Sequence, residues 1–230
     1  MKLINGIEII GKGLWIEEQK TLIISDLHIG YEESLNKQGM FVPRTQFKEM
    51  FNELEELLNK IKPKIIVING DLKHEFSDIS EQEWRETLKI LDLMLKYGKV
   101  VLVKGNHDNI LEPIANKRGL KIVESYETDG ICIAHGDSII KTDAKILIIG
   151  HEHPAISLED EVKTEKYKCF LLGSFRGKKL VVMPSFMTII EGTDLRQEEL
   201  LSPYLKNINN FEVFVVGDKV YKFGKLKNIK

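Results

Sequence analysis

All six histidines of this 230-residue chain lie within a few residues of Asp, Asn, Gly or Glu. They fall in five short segments, which read Asp26-Leu-His28, Gly70-Asp71-Leu-Lys-His74, Gly105-Asn106-His107-Asp108, His135-Gly-Asp137 and Gly150-His151-Glu-His153. Imidazole, carboxylate and amide oxygen together form a mixed donor set, which suits Mn, Fe, Zn, Ni or Co better than Ca or Mg. A single such histidine is more often a packed or solvated residue than a ligand. Five segments of one composition instead predict a metal centre.

Each of the five segments directly follows a short apolar, β-branched run that is typical of a buried strand. These runs occupy residues 21–25, 65–69, 100–104, 130–134 and 145–149. In α/β proteins, ligands bind in the crevice beyond the carboxyl ends of strands. We therefore expect the five segments to converge on one edge of the fold.

Two amphipathic helices are predicted between the strands. Pro43 suits the first turn of one, whose apolar residues from Phe47 to Ile61 recur at three- and four-residue spacing. The other repeats this pattern from Trp84 to Leu95. Strand and helix alternate up to about residue 125, and the rest of the sequence is β-rich. Hairpins are expected at residues 4–16 and 211–223.

Length and composition favour one domain over residues 1–230, with a motif-bearing part at 21–155 and a β-rich closing part at 156–230. The formal charge of -2 gives no overall attraction to nucleic acid, and the Lys-rich stretch 163–179 favours a solvated loop over a DNA track. The start shows no signal-peptide pattern and no run reaches membrane-spanning length. We expect a cytoplasmic protein without a membrane partner, whose two cysteines are buried, inert thiols.

The five segments, in this order and at strand ends, resemble the motifs of the calcineurin-like metallophosphoesterases. The resemblance spans residues 26–153, and Gly105-Asn106-His107-Asp108 is its most diagnostic block because it is complete. It implies an α/β fold of the metallophosphoesterase type, a four-layer α/β/β/α sandwich that holds two divalent metal ions. Mn is expected first, with Fe, Zn, Ni or Co as alternatives, because site geometry and metal supply decide identity more than affinity does.

The resemblance also implies seven metal ligands, in two sets that share one bridging carboxylate. The first set is Asp26, His28 and His153, the second is Asn106, His135 and His151, and Asp71 would bridge both ions through its two oxygens. Asp26 and His28 are two residues apart, so in an extended segment both side chains point the same way. A carboxylate in place of Asn106 would cancel the positive charge that attracts an anionic ester.

Two ions roughly 3.5 to 4 Å apart can share a water, lower its pKa and aim the resulting hydroxide in line at phosphorus. His107 is the implied general acid or transition-state stabiliser, oriented by a hydrogen bond that it donates to Asp108. Asp108 has a second, compatible interpretation as the N-cap of a helix over residues 109–117. The resemblance thus implies a binuclear, metal-dependent phosphoric ester hydrolase.

His74 indicates which branch of this family the sequence resembles most. Gly-Asp-Leu-x-His looks most like the SbcD-type DNA-repair nucleases and a short branch that includes ligase-associated endonucleases. In that branch this histidine lies near the metals and helps to position substrate. Substrate contact and an exposed surface histidine stay open as alternatives for His74.

The closing part adds a second point of resemblance to that branch, over residues 180–186 and 191–194. Pro184 and Gly192 bracket a loop that could return over the metal edge, and Arg176 or Lys178 could contact phosphate. The alternative is an ordinary surface connection.

Three functions follow from the sequence. A phosphodiesterase or nuclease acting on DNA or RNA is expected first, and a phosphatase or cyclic-nucleotide phosphodiesterase is the alternative with the same metal centre. A non-catalytic scaffold of this fold is the third, although such proteins typically replace the histidine that is present here as His107. Nucleases that repair double-strand breaks carry a further capping domain and an ATPase-binding segment, which this sequence does not show. A homo-oligomer is an open alternative.

Overall fold

The first of two β-sheets carries the motifs of the amino-terminal half. A computed structural model describes residues 1–4, 6–43, 45–75, 79–159 and 163–229. Seven strands lie in this sheet in chain order: β1 Lys2–Ile4, β2 Ile7–Ile10, β3 Gly13–Ile16, β4 Thr21–Ser25, β5 Ile65–Asn69, β6 Lys99–Val103 and β7 Ile122–Val123. The strands β1 to β4 pair antiparallel, and β4 to β7 pair parallel. The carboxyl ends of β4, β5 and β6 therefore share one edge.

Helices cover one face of this sheet. They are α1 Tyr31–Lys37, α2 Gln46–Ile61, α3 Glu81–Leu95 and α4 Glu112–Asn116. The two predicted helices are present, although α2 begins at Gln46 and Pro43 lies before it rather than in its first turn. The N-cap of α3 is Ser80, whose hydroxyl accepts a hydrogen bond from the Glu83 N–H group. The helix α1 was not predicted because seven residues are too few for a clear apolar period.

The second sheet is built from the rest of the chain. Its strands are β8 Ser125–Thr128, β9 Ile131–Ala134, β10 Ile146–Ile149, β11 Pro154–Glu159, β12 Thr164–Phe175, β13 Lys178–Val182, β14 Thr193–Asp194, β15 Glu212–Val216 and β16 Val220–Lys225. The sheet order is β14-β11-β12-β13-β10-β9-β8, with β15 paired to β12 and β16. The strands β9, β10 and β13 run parallel. The predicted β-rich half and its closing hairpin are confirmed.

Alternating side chains show how the layers stack. Ile23 and Val67 of the first sheet share a buried cluster with Ile148 and Val181 of the second, so this cluster lies between the sheets. The neighbouring residues of these strands point to the opposite face of each sheet. In the first sheet they pack under the helices, and in the second sheet they pack on its outer face. Segment 195–211 and a short 3₁₀ turn supply the buried residues of that outer layer, where the described ranges contain irregular chain in place of a helix.

The expected α/β sandwich of two sheets is thereby confirmed, while the described part of its fourth layer is irregular chain where the α/β/β/α order implied helices. Both cysteines are free and buried, as expected. Within the described ranges, the longest helices are too short or too polar to cross a bilayer.

Candidate metal centre

All five motif segments meet at one edge of the molecule. Ser25 at the end of β4 pairs with Asn69 of β5, which pairs with Val103 of β6. In the second sheet, Ala134 at the end of β9 pairs with Ile149 of β10. The loops after these parallel strands therefore start at a common level. The predicted convergence is confirmed, because the candidate ligands form groups whose donor atoms lie within 4.8 Å of one another.

The first group contains Asp26, His28 and His153. The Nε2 atom of His153 lies 3.5 Å from Oδ1 of Asp26 and 3.3 Å from Nε2 of His28. Asp26 and His28 are buried, and His153 is half-buried. Burial, followed by the effect of His153, lowers the pKa of His28 well below its usual value. A neutral imidazole keeps the lone pair that a metal ion requires.

The second group contains Asp71, His135 and His151, with Asn106 beside them. The Nε2 atom of His135 lies 3.3 Å from Oδ2 of Asp71 and 3.1 Å from Nδ1 of His151. The same atom lies 2.8 Å from Oδ1 of Asn106. The structure thus brings all four residues to one point, as the resemblance implied.

Asp71 lies between the two groups. Its Oδ2 atom is 3.7 Å from Nε2 of His28 and 3.3 Å from Nε2 of His135. Its Oδ1 atom accepts a hydrogen bond of 2.9 Å from the backbone N–H group of His107. Burial alone would raise the pKa of Asp71, but His135 and His28 outweigh burial and lower it. In this structure only Oδ2 faces both groups, whereas the resemblance implied a bridge through both oxygens.

The surroundings of the Asp26 carboxylate show whether a cation fits this site. Its Oδ2 atom accepts hydrogen bonds from Oγ of Ser25 at 2.7 Å and from the His151 N–H group at 3.1 Å. Its Oδ1 atom is buried without a hydrogen-bond partner among the residues that the structure describes, 3.4 Å from Nδ1 of His135. A buried, unsatisfied carboxylate oxygen is costly, and a divalent cation satisfies it. The residues present therefore fit a metal ion.

Five of the candidate ligands have a left-handed backbone. They are Asp26 (φ 55°), His28 (φ 44°), Asp71 (φ 37°), His151 (φ 63°) and His153 (φ 48°). This region is uncommon for residues other than glycine, and such outliers cluster at functional sites. The expectation of an extended segment at Asp26 and His28 is wrong, because the chain turns at both residues. Their side chains are aimed by these turns and not by strand alternation.

The glycines of the motifs are explained by close approach. A Cβ atom on Gly70 would lie 2.0 Å from Nδ1 of His135, and one on Gly105 would lie 2.1 Å from Oδ1 of Asp71. A Cβ atom on Gly150 would lie 2.0 Å from Oγ of Ser25 and 2.4 Å from Oδ2 of Asp26. Each glycine therefore leaves room for a candidate ligand supplied by a different loop.

His107 and His74 lie together beside the two groups. The Nε2 atom of His107 is 3.9 Å from Oδ2 of Asp71, and its Nδ1 atom faces the backbone carbonyl oxygen of His74. The Nδ1 atom of His74 is 3.5 Å from Nδ1 of His28, and its ring centroid is 4.6 Å from that of Tyr31. His74 is half-buried, which rules out the alternative of an exposed surface histidine.

Asp108 has a different structural role from the two that were expected. Its carboxylate is buried and accepts backbone hydrogen bonds from Gly105 at 3.0 Å, from Leu72 at 3.1 Å and from Lys73 at 3.3 Å. The carboxylate thus ties the third motif loop to the second. The nearby helix begins only at Glu112, so Asp108 is not its N-cap. The Nδ1 atom of His107, for which Asp108 was the expected partner, faces the His74 carbonyl.

The loop at residues 184–192 returns to the metal edge, as expected. The Ser185 hydroxyl donates to the carbonyl oxygen of Asp26 at 2.7 Å, and the Phe186 N–H group donates to that of Ser25 at 2.8 Å. These two hydrogen bonds hold the backbone of the first motif in place. The alternative of an ordinary surface connection does not describe these contacts.

Arg176 lies far from the metal edge. It occupies the turn before Lys178, whereas the other end of β13, at Val182, leads into the loop at the metal edge. Five residues of strand span about 16 Å, so the turn lies at the opposite edge of the sheet. The ammonium of Lys178 donates to the carbonyl oxygens of Thr142 at 2.8 Å and Ala144 at 2.7 Å. The expected phosphate contact of Arg176 is therefore wrong. Lys178 instead stabilises the loop that contains Thr142 and Ala144.

Sequence reasoning missed Glu152, which lies between two candidate ligands. It is buried, and its Oε2 atom accepts hydrogen bonds of 2.9 Å from the N–H groups of both Leu201 and Ser202. The Ser202 hydroxyl in turn donates to the carbonyl oxygen of Gly136 at 2.7 Å. A closing segment thereby joins the fourth and fifth motifs. The buried acid between two histidines was the available signal, but its partner lies about fifty residues away.

Comparison with known proteins identifies the class. A family model of the calcineurin-like phosphoesterases matches residues 19–219, and the chain belongs to this family. It is accordingly a metal-dependent phosphoester hydrolase, and the scaffold alternative is not supported.

A solved structure agrees with this fold. The chain is similar to nuclease MPE of Pseudomonas putida, with 18% identity, a TM-score of 0.69 and coverage of 92% of each chain. It also matches the phosphoesterase Yfce of E. coli, with 12% identity, a TM-score of 0.44 and coverage of 86% of this chain and 88% of that one. No curated protein matches the chain. At 18% identity the likeness to nuclease MPE shows the fold alone.

Replacing Gly150 with Ala should weaken metal binding. The added methyl group would displace Asp26, because its ideal position is 2.4 Å from Oδ2 of that residue. We expect the dissociation constant for Mn to rise at least about tenfold, as when a metal ligand loses its orienting partners. Gly217→Ala is the matched control, since its nearest neighbour would be 3.5 Å away. Calorimetric titration with Mn that gave equal affinities for the two variants would contradict this prediction.

Metal binding should release a proton near neutral pH. Burial alone would lower the pKa of His135, but the hydrogen bond with Asp71 and the charge of Asp26 outweigh burial and raise it to about 9. Below that pH the ring carries a proton that a bound cation displaces, so the apparent affinity for Mn rises with pH and levels off above about 9. Calorimetry in buffers of different ionisation enthalpy measures the protons released. Release of none between pH 6 and 8 would refute this assignment.

Proposed function

We propose that this protein is a phosphodiesterase of the nuclease type that hydrolyses nucleic acid with two divalent metal ions, Mn first. The observation that carries the proposal is that Oδ2 of Asp71 faces both groups of candidate ligands, at 3.7 Å from His28 and 3.3 Å from His135. A carboxylate shared in this way is the usual bridge of a two-metal hydrolase. The proposed ligands are Asp26, His28, Asp71, Asn106, His135, His151 and His153.

The two ions, when bound, supply an activated water and neutralise the phosphoryl oxygens. The protein holds the carboxylates of Asp26 and Asp71 in place, since each has one oxygen in hydrogen bonds, and the other oxygen of each would be available to hold a metal ion. Because Asn106 is neutral, the loaded site keeps a net positive charge that attracts an anionic ester.

His107 is the proposed general acid. Its Nδ1 atom faces a carbonyl oxygen, which only accepts, so the Nδ1 proton is donated there. The Nε2 atom is therefore the one that transfers a proton, and it lies at the metal edge, 3.9 Å from Oδ2 of Asp71. In the imidazolium form both ring nitrogens carry a proton. Nε2 then gives its proton to the leaving oxygen as the bond to phosphorus breaks, and the ring is left neutral with its remaining proton on Nδ1.

Two cavities favour a phosphodiester over a monoester. One of about 330 Å³ adjoins Asn106 and His135 of the second ligand group, and another of about 440 Å³ adjoins His153 of the first group. A diester has a substituent on each side of the scissile phosphate and requires room at both groups. The similar Pseudomonas putida protein, described as a nuclease, supports a nucleic acid as the diester.

The substrate class is tested by a panel of esters in the presence of Mn. It contains single-stranded and duplex DNA, RNA, cyclic nucleotides, an artificial phosphodiester and a phosphomonoester, each assayed beside the Asp71→Asn variant. We expect cleavage of the diesters with loss of activity in that variant, because the shared ligand is removed. Cleavage of the monoester alone would overturn the nuclease proposal and favour a phosphatase.

Replacing His107 with Ala should separate chemistry from metal binding. We expect kcat on the artificial phosphodiester to fall roughly 10²- to 10³-fold, the range for loss of a general acid. The stoichiometry of bound Mn should stay at the wild-type value, because the proposed ligands are other residues. Elemental analysis and steady-state kinetics measure both quantities. Unchanged kcat would remove His107 from the mechanism.

A further inference from the structure

Glu83, in the first turn of α3, is completely buried although it lies outside both ligand groups. Its Oε1 atom accepts backbone hydrogen bonds from His74 at 2.9 Å and from Glu75 at 3.2 Å. The N–H group of Glu83 donates to the hydroxyl of Ser80, which caps the helix, at 3.1 Å. The His74 N–H group also donates to the carbonyl oxygen of Ile29 at 2.9 Å. Glu83, at the start of a helix, thus holds together with Ile29 the backbone of the segment that carries His74, and among the described residues it alone accepts from the Glu75 N–H group.

The connection continues to the proposed general acid. The carbonyl oxygen of His74 accepts the hydrogen bond from Nδ1 of His107. A carbonyl oxygen has no proton to give, so this contact selects the ring form that is protonated at Nδ1. The other ring nitrogen then faces Oδ2 of Asp71 and the metal edge. The direction of the ring therefore depends on where the His74 peptide lies.

Packing and charge restrict the position of Glu83. Gly30 has a positive φ of 96°, and a Cβ atom there would lie 3.1 Å from the Glu83 carboxylate. Lys73 is completely buried, its ammonium has no hydrogen-bond partner among the described residues, and Glu83 is its strongest electrostatic partner. The carboxylate is thus fixed by its helix, by Gly30 and by a buried cation.

We propose that Glu83 is a positioning residue, which acts through the His74 peptide to keep a proton on Nδ1 of His107 before and after the transfer, and so to aim the Nε2 proton at the leaving oxygen. The proposal deepens the proposed function and rests on the role given there to His107. The competing interpretation is that Glu83 only stabilises the fold near the start of α3. Two measurements separate these interpretations.

The first measurement reads the ring directly. In zinc-loaded protein, which is diamagnetic, ¹⁵N and ¹H NMR identifies the protonated nitrogen of each histidine, and the His107→Ala spectrum assigns the signal. In the wild type we expect the neutral ring to be protonated at Nδ1. In Glu83→Met, which removes the accepting carboxylate but keeps a side chain of similar length, we expect a mixture of the rings protonated at Nδ1 and at Nε2. Glu86→Met is the matched control on the same helix, because the Glu86 carboxylate bonds to Gln82. An unchanged His107 ring in Glu83→Met would overturn the proposal.

The second measurement asks whether Glu83 acts through His107. With Mn and the artificial phosphodiester, we expect Glu83→Met to lower kcat about tenfold, with KM and Mn affinity at wild-type values, as for a loss confined to the transition state. In the His107→Ala background the same substitution should change kcat less than twofold, because residues that act as a unit are not additive. An equal loss in both backgrounds would show a structural role and refute the proposal.

Two further outcomes are covered by this design. If Glu83→Met does not fold, Glu83→Asp keeps the charge beside Lys73 but shortens the reach to the His74 N–H group, and the ring of His107 should again show mixed forms. A single Nδ1-protonated form in folded Glu83→Asp would then overturn the proposal. If His107→Ala keeps full activity, the proposed function loses its general acid, while the NMR result still decides whether Glu83 holds the ring.

Discussion

The carboxylate of Asp71 is the group on which the rest of the site depends. Its Oδ2 atom faces the histidines of both ligand groups, and its Oδ1 atom holds the third motif loop through the His107 N–H group. One side chain thereby sets the separation of the two groups and the place of the proposed acid. The loop reaches this position because β4, β5 and β6 end at a common level, and because Gly105 leaves room for the carboxylate.

Holding this arrangement is energetically costly. Each left-handed residue other than glycine costs on the order of 1–3 kcal/mol, and five of the candidate ligands have this conformation. Together they approach the net stability of a typical domain, so the surrounding core must offset them. The offset comes from both sides of the strands, since Ile66 and Ile68 pack under the helices while Val67 packs between the sheets. The metal edge is thus supported by two hydrophobic layers at once.

The sequence predicted the strands and their convergence, because buried parallel strands are continuous apolar runs and the motifs follow them directly. It could not predict which oxygen of Asp71 faces both ligand groups, since that depends on a hydrogen bond from another loop. Arg176 was misplaced because local sequence does not show which end of a hairpin faces a site. Asp108 was misassigned because two of its three partners, Leu72 and Lys73, lie in the second motif, about thirty-five residues away. A local sequence pattern predicts a helix or a strand. The role of a polar side chain depends instead on backbone groups that are distant in the sequence.

The partner of the His107 ring is the His74 carbonyl oxygen and not the Asp108 carboxylate, and this difference has a chemical consequence. A carboxylate beside an imidazole orients the ring and also stabilises its charged form, which holds the proton more tightly. A carbonyl oxygen orients the ring without adding a charge, so an acid that must give up its proton is better served by it. Asp108 is then free to join two loops through three backbone hydrogen bonds. In this site the orientation of the proposed acid is separated from its electrostatics, because a peptide group supplies the first and the metal edge supplies the second.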